Sequence, residues 1–355
     1  MIRRNNILGL FSFLFVFAVK AQKPVLLVAN KHSNTLSFID IKTLKVLKTI
    51  PTGPNPHEID ITPDQHKAYL SSYEPPGNTI SVVDLINMKM IRQIPTGDIG
   101  RIHGVALSQD GKDVYFTAGQ SGDLVDVDTR NDSIKRIIPT HGEISHMVYI
   151  SPDDTKLYTA NIVSENISVI DRTSGDLLYQ IPAGKGVEGM AFTPDGKWLW
   201  AANQTGGTIT VIEVATRKPV KTFDCRGMPV RIRFSKDGKT AYIPSWTKKG
   251  ELIVVDVDLC KEIKRIPVGD FAIGTALSPD GKLLFVGCED AVETSFNSNG
   301  TESLKLNQRK SEGVHVIDTQ TLTIINIIET GLGPDPMIIW YPPKNWWKLV
   351  VRKKE

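Results

Sequence analysis

The chain holds only three cysteines in 355 residues, Cys225, Cys260 and Cys288, and they stand far apart. None belongs to a C-x-x-C or C-x-x-C-H pattern, which excludes a thioredoxin-type redox pair and c-type haem attachment. An odd number leaves at least one thiol unpaired, and all three read as small buried apolar residues. The chain also lacks G-x-x-x-x-G-K-[ST], H-E-x-x-H and G-x-S-x-G. The P-loop, the zinc-binding helix and the nucleophile elbow therefore have no anchor in it.

Long apolar runs are missing too, except at the start. Arg3 and Arg4 precede a nearly all-apolar stretch from Ile7 to Val19, and Val19 and Ala21 then occupy the −3 and −1 places of a V-K-A cut before Gln22. This is the pattern of a secretory signal peptide over residues 1–21, shorter than the ~20 apolar residues of a comfortable membrane span. No cysteine follows the cut, so no lipid anchor is indicated. The expectation is an exported protein, periplasmic or extracellular, with no membrane span after cleavage. Removing Arg3, Arg4 and Lys20 takes the formal charge from +3 to 0. A neutral protein has no general attraction for phosphate backbones, which argues against nucleic acid as a partner. Basic character remains in the tail, residues 344–355, at Lys348, Arg352, Lys353 and Lys354. That tail reads as a solvated, frayed end.

What fills residues 22–343 is repetition with a period of 42–46 residues. One phrase recurs as Thr35–Asp40 (TLSFID), Thr79–Asp84 (TISVVD), Asn166–Asp171 (NISVID), Thr208–Glu213 (TITVIE) and Gly313–Asp318 (GVHVID). A second recurs as Thr49–Gly53, Gln93–Gly97 and Gln180–Gly184, each I-P-x-G-like. Each copy reads as four strands, A to D. The A-to-B hairpin carries Ser/Thr-Pro-Asp-Gly-Lys, as at Thr193–Lys197 and Ser278–Lys282, where Gly takes the left-handed place. Apolar residues on both faces of the C strands suit sheets packed against neighbours on each side. Seven copies are counted, so the predicted fold is an all-β, seven-bladed propeller with four antiparallel strands per blade. The mature chain opens on a B strand, Val25 to Asn30, and closes on an A strand, Met337 to Trp340. Pairing these two closes the ring and removes the open edge. An acid ends every C strand: Asp40, Asp84, Asp128, Asp171, Glu213, Asp256 and Asp318. Each precedes a tight turn and reads as a turn-capping group rather than a catalyst.

LLVAN, LYTAN, NISVID, TISVVD and SPDGK resemble the YVTN-type β-propeller repeat family, including its YncE-like exported members, over about residues 24–342. The resemblance implies the fold and the ring. It implies little about function, because such propellers host binding proteins, lyases, lactonases and metal or cofactor proteins. No blade carries the tryptophan-docking repeat of quinoprotein propellers.

In such a ring the D-to-A and B-to-C connections surround one mouth of the central channel. The A strands are expected to begin there with His57, His103, His146, Glu188, Val230, Ile273 and Pro336. Three imidazoles and a carboxylate on consecutive blades are competent ligands for a divalent ion such as Zn²⁺ or Mg²⁺, so His57, His103, His146 and Glu188 form a candidate metal set. Repetition alone also generates such a ring. Arg101, Arg231 and Trp246 flank the same mouth. The arginines, with Arg226, could hold an anion, and Trp246 could stack a ligand. Residues 288–312 replace a short B-to-C link with a long polar stretch over that face. Its composition leans toward disorder, and its place suits a lid or docking loop. The reading favours a binding or scaffold protein for an unidentified protein or small molecule. The alternative is a metal-dependent lyase or lactonase-like hydrolase using the His/Glu cluster.

Overall fold

The computed structural model describes residues 23–73, 78–289, 292–296, 302–306 and 313–347. The expected signal peptide and residues 348–355 of the tail lie outside the described residues. Seven four-stranded antiparallel sheets make up the propeller. Blade 1 is sewn from both ends of the chain. Its A strand is Pro334–Trp340, and its B, C and D strands are Val25–Asn30, Thr35–Asp40 and Lys45–Pro51. Val25 faces Trp340, Leu26 faces Ile339, Leu27 faces Ile338 and Val28 faces Met337, which is the closure the sequence predicts. The other A strands are Pro56–Ile61, Ile102–Leu107, Ser145–Ile150, Val187–Phe192, Arg233–Phe234 and Ala272–Leu277, in blades 2 to 7.

Burial follows position in the blade. The B strand Val25–Asn30 is buried at every residue, and C strands such as Thr79–Asp84 are buried except at their ends. The D strands form the outer rim and are mostly exposed, as in Lys218–Asp224. Sheets packed face to face bury both sides of their inner strands, so these strands carry no polar face. The acids closing the C strands cap turns as expected. Asp40, Asp84, Asp128, Asp171, Asp256 and Asp318 each accept a backbone N–H from two or three residues on. Glu213 instead accepts the Thr216 hydroxyl, 2.6 Å away.

Two expectations need revision. The propeller does not stop at residue 343. Trp346 is buried against Trp340, ring centroids 4.8 Å apart, and its Nε1 donates to Ile86 O at 3.1 Å. Trp347 Nε1 donates to Lys23 O at 3.3 Å, so the first part of the tail clasps the segment that leads into Val25–Asn30. The B-to-C insertion of blade 7 is not without structure either. Val292–Phe296 pairs with Glu302–Leu306 in an antiparallel hairpin, Val292 facing Leu306. Alternation in VETSF and ESLKL suffices for a hairpin despite the polar composition.

The three cysteines are free thiols, with Cys225 and Cys288 buried and Cys260 half-buried. Burial pushes the Cys225 thiol up to about 12, which keeps it protonated and inert. Among the described residues no helix is long and apolar enough to cross a membrane.

Candidate functional site

The seven A strands wall the central channel, and a β-bulge near the start of six of them sets the level of the site. In blade 2, Pro56 faces Ser72 but Ile59 faces Leu70, so His57 and Glu58 share the place of one residue. The bulge recurs in blades 1, 3, 4, 5 and 7. Two consecutive side chains can thus be aimed at the lumen. Blade 6 goes further. Its A segment is reduced to a bridge from Pro229 to Ser245 and the strand Arg233–Phe234. Pro244, opposite the gap, has no N–H to give.

One backbone bond fixes the register of all seven blades. The residue after each B strand donates its N–H two residues upstream of the inner ring. The pairs are Lys31 to Gly333, Tyr73 to Asn55, Gly119 to Arg101, Ile162 to Ile144, Gln204 to Gly186, Trp246 to Met228 and Glu289 to Phe271. The inner ring is therefore Asp335, His57, His103, His146, Glu188, Val230 and Ile273. The expected Pro336 is displaced by one, and Asp335 holds its place. The sequence carries the signal: Thr52-Gly53-Pro54-Asn55-Pro56-His57 matches Thr330-Gly331-Leu332-Gly333-Pro334-Asp335.

This ring and the residues beside it close the D-to-A end of the channel. His103 packs on His146 with ring centroids 3.5 Å apart and on His57 at 4.2 Å. Tyr73 stacks on His57 at 4.7 Å, and the Arg101 guanidinium covers Tyr73 at 5.2 Å. Across the channel, Trp246 Nε1 donates to Glu289 Oε2 at 2.8 Å. All seven residues singled out from sequence thus converge on the channel, and Lys31, Glu58, Tyr73, Glu289 and Asp335 join them. Arg226 does not. It pairs at the exposed rim with Glu262 at 3.1 Å, so no clamp of Arg101, Arg226 and Arg231 exists.

The charges form two similar modules, each a buried cation between two carboxylates. Lys31 pairs closely with Glu289 and stands 3.3 Å from Asp335. Arg231 pairs closely with Glu58 and stands 3.0 Å from Glu188. One cation cannot hold two buried carboxylates charged, so the second of each pair takes a proton. Burial pushes Asp335 up to about 8 and Glu188 up to about 7, in spite of Lys31 and Arg231. Burial alone would also raise Glu289, but Lys31 and the Trp246 N–H hold it low. Burial, then the positive charge of Lys31 and Arg231, keeps His57, His103 and His146 well below the usual histidine range. Near neutral pH the imidazoles are uncharged.

Several atoms here lack a hydrogen-bond partner among the described residues: Nδ1 of His57, both nitrogens of His103, Nδ1 of His146, Oε2 of Glu188 and both oxygens of Asp335. Nearby contacts do not satisfy them. His57 Nδ1 is 3.8 Å from Asp335, His146 Nδ1 is 3.9 Å from Glu188, and the Lys31–Asp335 contact is an ion pair out of hydrogen-bond alignment. Each buried polar group left so costs ~1–3 kcal/mol. Among the described residues no group of three or more His, Cys, Asp or Glu is arranged to hold a metal ion.

Below the ring lies a cavity of about 680 Å³ that runs to the A-to-B turns, at the end opposite the expected mouth. Glu58, Arg231 and Asp335 reach its inner end, and Tyr149, Arg233, Lys236 and Tyr341 line it toward the opening. Small residues make the room, among them Ala106, Ala191 and Ala276. Gly104, Gly189 and Gly274 let neighbouring blades close in. A Cβ on Gly274 would meet Asp335 O at 1.5 Å, and one on Gly189 would meet Val230 O at 2.1 Å. Residues Gly184 to Gly189 also spell G-x-G-x-x-G. They lead into the strand Val187–Phe192 and not a helix, so they form no pyrophosphate cradle.

Known proteins carry the same framework. The YncE-like β-propeller family model matches residues 4–111 and 106–278. The chain belongs to the YncE-like β-propeller family. Antigen Lp49 of Leptospira interrogans is 28% identical over 214 residues, 58% of this chain and 45% of that protein. The YncE protein of Salmonella typhimurium is 25% identical over 144 residues, 39% of this chain and 40% of that protein. The matches thus span less than half the length of these curated relatives. Among solved structures, Kuenenia stuttgartiensis hydrazine synthase superposes with a TM-score of 0.65 at 22% identity, covering 80% of this chain and 92% of that one. A protein of unknown function from Desulfotomaculum acetoxidans gives a TM-score of 0.71 at 16% identity, over 90% and 99%. At these identities the likeness is one of fold. In this YncE-like chain the site is defined by its own residues.

Proposed function

We propose that this YncE-like propeller is an exported binding protein that takes a small molecule into its central channel through the A-to-B end. One observation carries the reading: a cavity of about 680 Å³ whose inner end is lined by Glu58, Arg231 and Asp335, the last with both oxygens lacking a hydrogen-bond partner among the described residues. Concave sites with apolar walls and a few convergent polar groups are the usual form of ligand pockets. Export rests on the signal-peptide pattern of residues 1–21. The metal-dependent alternative has no comparable support, because the imidazoles stack on one another and no set of donors converges on a point among the described residues.

The test is titration of the purified chain with 8-anilino-1-naphthalenesulfonate, followed by fluorescence. Saturable binding of one dye per chain is expected, and it is lost in Ala191→Phe or Ile338→Trp, which fill the cavity. Circular dichroism checks that each variant folds. Binding that survives in both folded variants would move the site elsewhere and overturn the reading.

A further inference from the structure

The charges inside the cavity are not balanced evenly. Arg231 is engaged by Glu58 and Glu188. Asp60 is engaged through both oxygens, by the backbone N–H of Ile61 at 2.8 Å and of Leu107 at 2.9 Å. Arg233 differs. It is exposed to the lumen, makes no ion pair among the described residues, and its Nη2 donates to Thr275 O at 2.9 Å. A guanidinium has five N–H donors in a fork that matches a carboxylate. The only other cation along the cavity is Lys236 at the rim, which reaches Pro279 O. The walls therefore offer one cation without an ion pair midway along the channel, Arg233, and one carboxyl group, Asp60, whose oxygens are already taken by backbone N–H groups.

The inner end has a different character. Lys31 and Arg231 each stand between two carboxyl groups. Burial pushes Asp335 up to about 8, so that it keeps its proton near neutral pH, and Glu188 up to about 7, where it is half ionised. The three imidazoles are neutral. This end, where Glu58 and Asp335 line the cavity, is met best by hydroxyl groups, which both give and accept a hydrogen bond. It has little to offer a second full charge.

Resting on the binding role above, we infer that the ligand is a hydroxylated organic acid, its carboxylate held by Arg233 and its hydroxyls directed at Asp335 and Glu58, which line the inner end. An acid lacking hydroxyls leaves the inner end unmet, and a polyol lacking the acid leaves Arg233 unmet.

Three probes separate these contributions: D-gluconate, sorbitol and hexanoate, each titrated calorimetrically. Gluconate is expected to bind at least about 10-fold more tightly than either of the others. Arg233→Met should weaken gluconate by about 10–100-fold, the range for a hydrogen-bonded charged group, and leave sorbitol unchanged. Arg233→Lys should restore part of the loss. Gluconate binding no better than both partial probes, or unaffected by Arg233→Met, overturns the inference. If that happens while the naphthalenesulfonate dye still binds and is expelled by Ala191→Phe, the channel remains a binding site and only the ligand class is wrong. If the dye ignores the cavity-filling variants, the binding role itself falls.

Discussion

Arg231 and Arg233 stand two residues apart on the inner segment of blade 6 and line the same cavity, yet they keep different company. Arg231 is buried between Glu58 and Glu188 at the closed D-to-A end. Arg233 lines the open cavity, donates to a backbone carbonyl and makes no ion pair among the described residues, with Tyr149 and Glu58 as its electrostatic neighbours. The closed end is dense, charged and internally paired. The open end is wide, lined partly by alanine, and holds a cation without an ion pair among the described residues. The same seven strands produce both, because a bulge aims paired residues inward near one end while small residues widen the other. Buried charges must be matched within the protein, whereas a charge facing a cavity can wait for a ligand.

The largest expected effect tests this division directly. Arg231→Met leaves two carboxylates buried without their cation and should lower stability by about 3–5 kcal/mol, read by urea or guanidinium unfolding. Arg233→Met should lower it by less than about 1 kcal/mol. Adding Glu58→Gln and Glu188→Gln to Arg231→Met should recover most of the loss, since no uncompensated charge then remains. Equal losses for the two arginines would erase the distinction between the ends.

The ring and its closure were legible in the sequence because each blade repeats its turn and strand phrases, and the pairing of Val25–Asn30 with the last A strand follows from counting. The channel residues were legible by superposing repeats, which located His57, His103, His146 and Glu188 correctly. Asp335 was displaced by one because Pro336 precedes the apolar run just as other A strands begin, while the Thr-Gly anchor five residues upstream was not used. Lys31, Glu58 and Glu289 escaped notice because they follow a strand or sit in a bulge, where side-chain direction departs from simple alternation. The side of the channel that stays open could not be read from spacing at all. It depends on how bulky residues stack at one level, which is a property of the assembled ring.

A smaller effect should appear with pH. Glu188 and Asp335 hold protons in the folded chain up to about 7 and 8, against 4.5 and 3.8 for the free groups. The folded state therefore binds more protons than the unfolded state, and stability falls as pH rises through those values. His57, His103 and His146 act in the opposite sense, because they stay neutral when folded and charge when unfolded. Their effect lies mainly below pH 6.5, where the two trends oppose each other. Between pH 7 and 9 the carboxyl groups prevail, and a decline of about 1 kcal/mol is expected. The double variant Glu188→Gln, Asp335→Asn should flatten it. A decline that persists in the double variant would assign it to groups outside the closed end.

His103 sharpens the comparison further. Both its nitrogens are buried without a hydrogen-bond partner among the described residues, and its ring is held by His57 and His146. His103→Phe keeps an aromatic ring in the stack and removes two unmet polar groups. Stability should stay within about 1 kcal/mol of the parent or rise, and gluconate affinity should stay within about 2-fold, because the residues lining the cavity's inner end are Glu58, Arg231 and Asp335 and not His103. A clear fall in affinity in the folded variant would join the histidine level to the ligand site.

The smallest expected effect concerns the insertion of blade 7. Residues 290–312 leave the propeller after Glu289 on the D-to-A face, whereas the cavity opens at the A-to-B turns. Replacing 290–312 by a short Gly-Ser link, with Glu289 kept so that its contacts to Lys31 and Trp246 survive, should leave dye and gluconate affinities unchanged within about 2-fold, well under the 1.4 kcal/mol of a tenfold change. Glu289, from which the insertion starts, belongs to the Lys31–Glu289–Asp335 module, so that module is the link to the cavity through Asp335. A clear change in affinity would therefore mean that this module couples the two faces, and the two ends of the channel would have to be treated as one site.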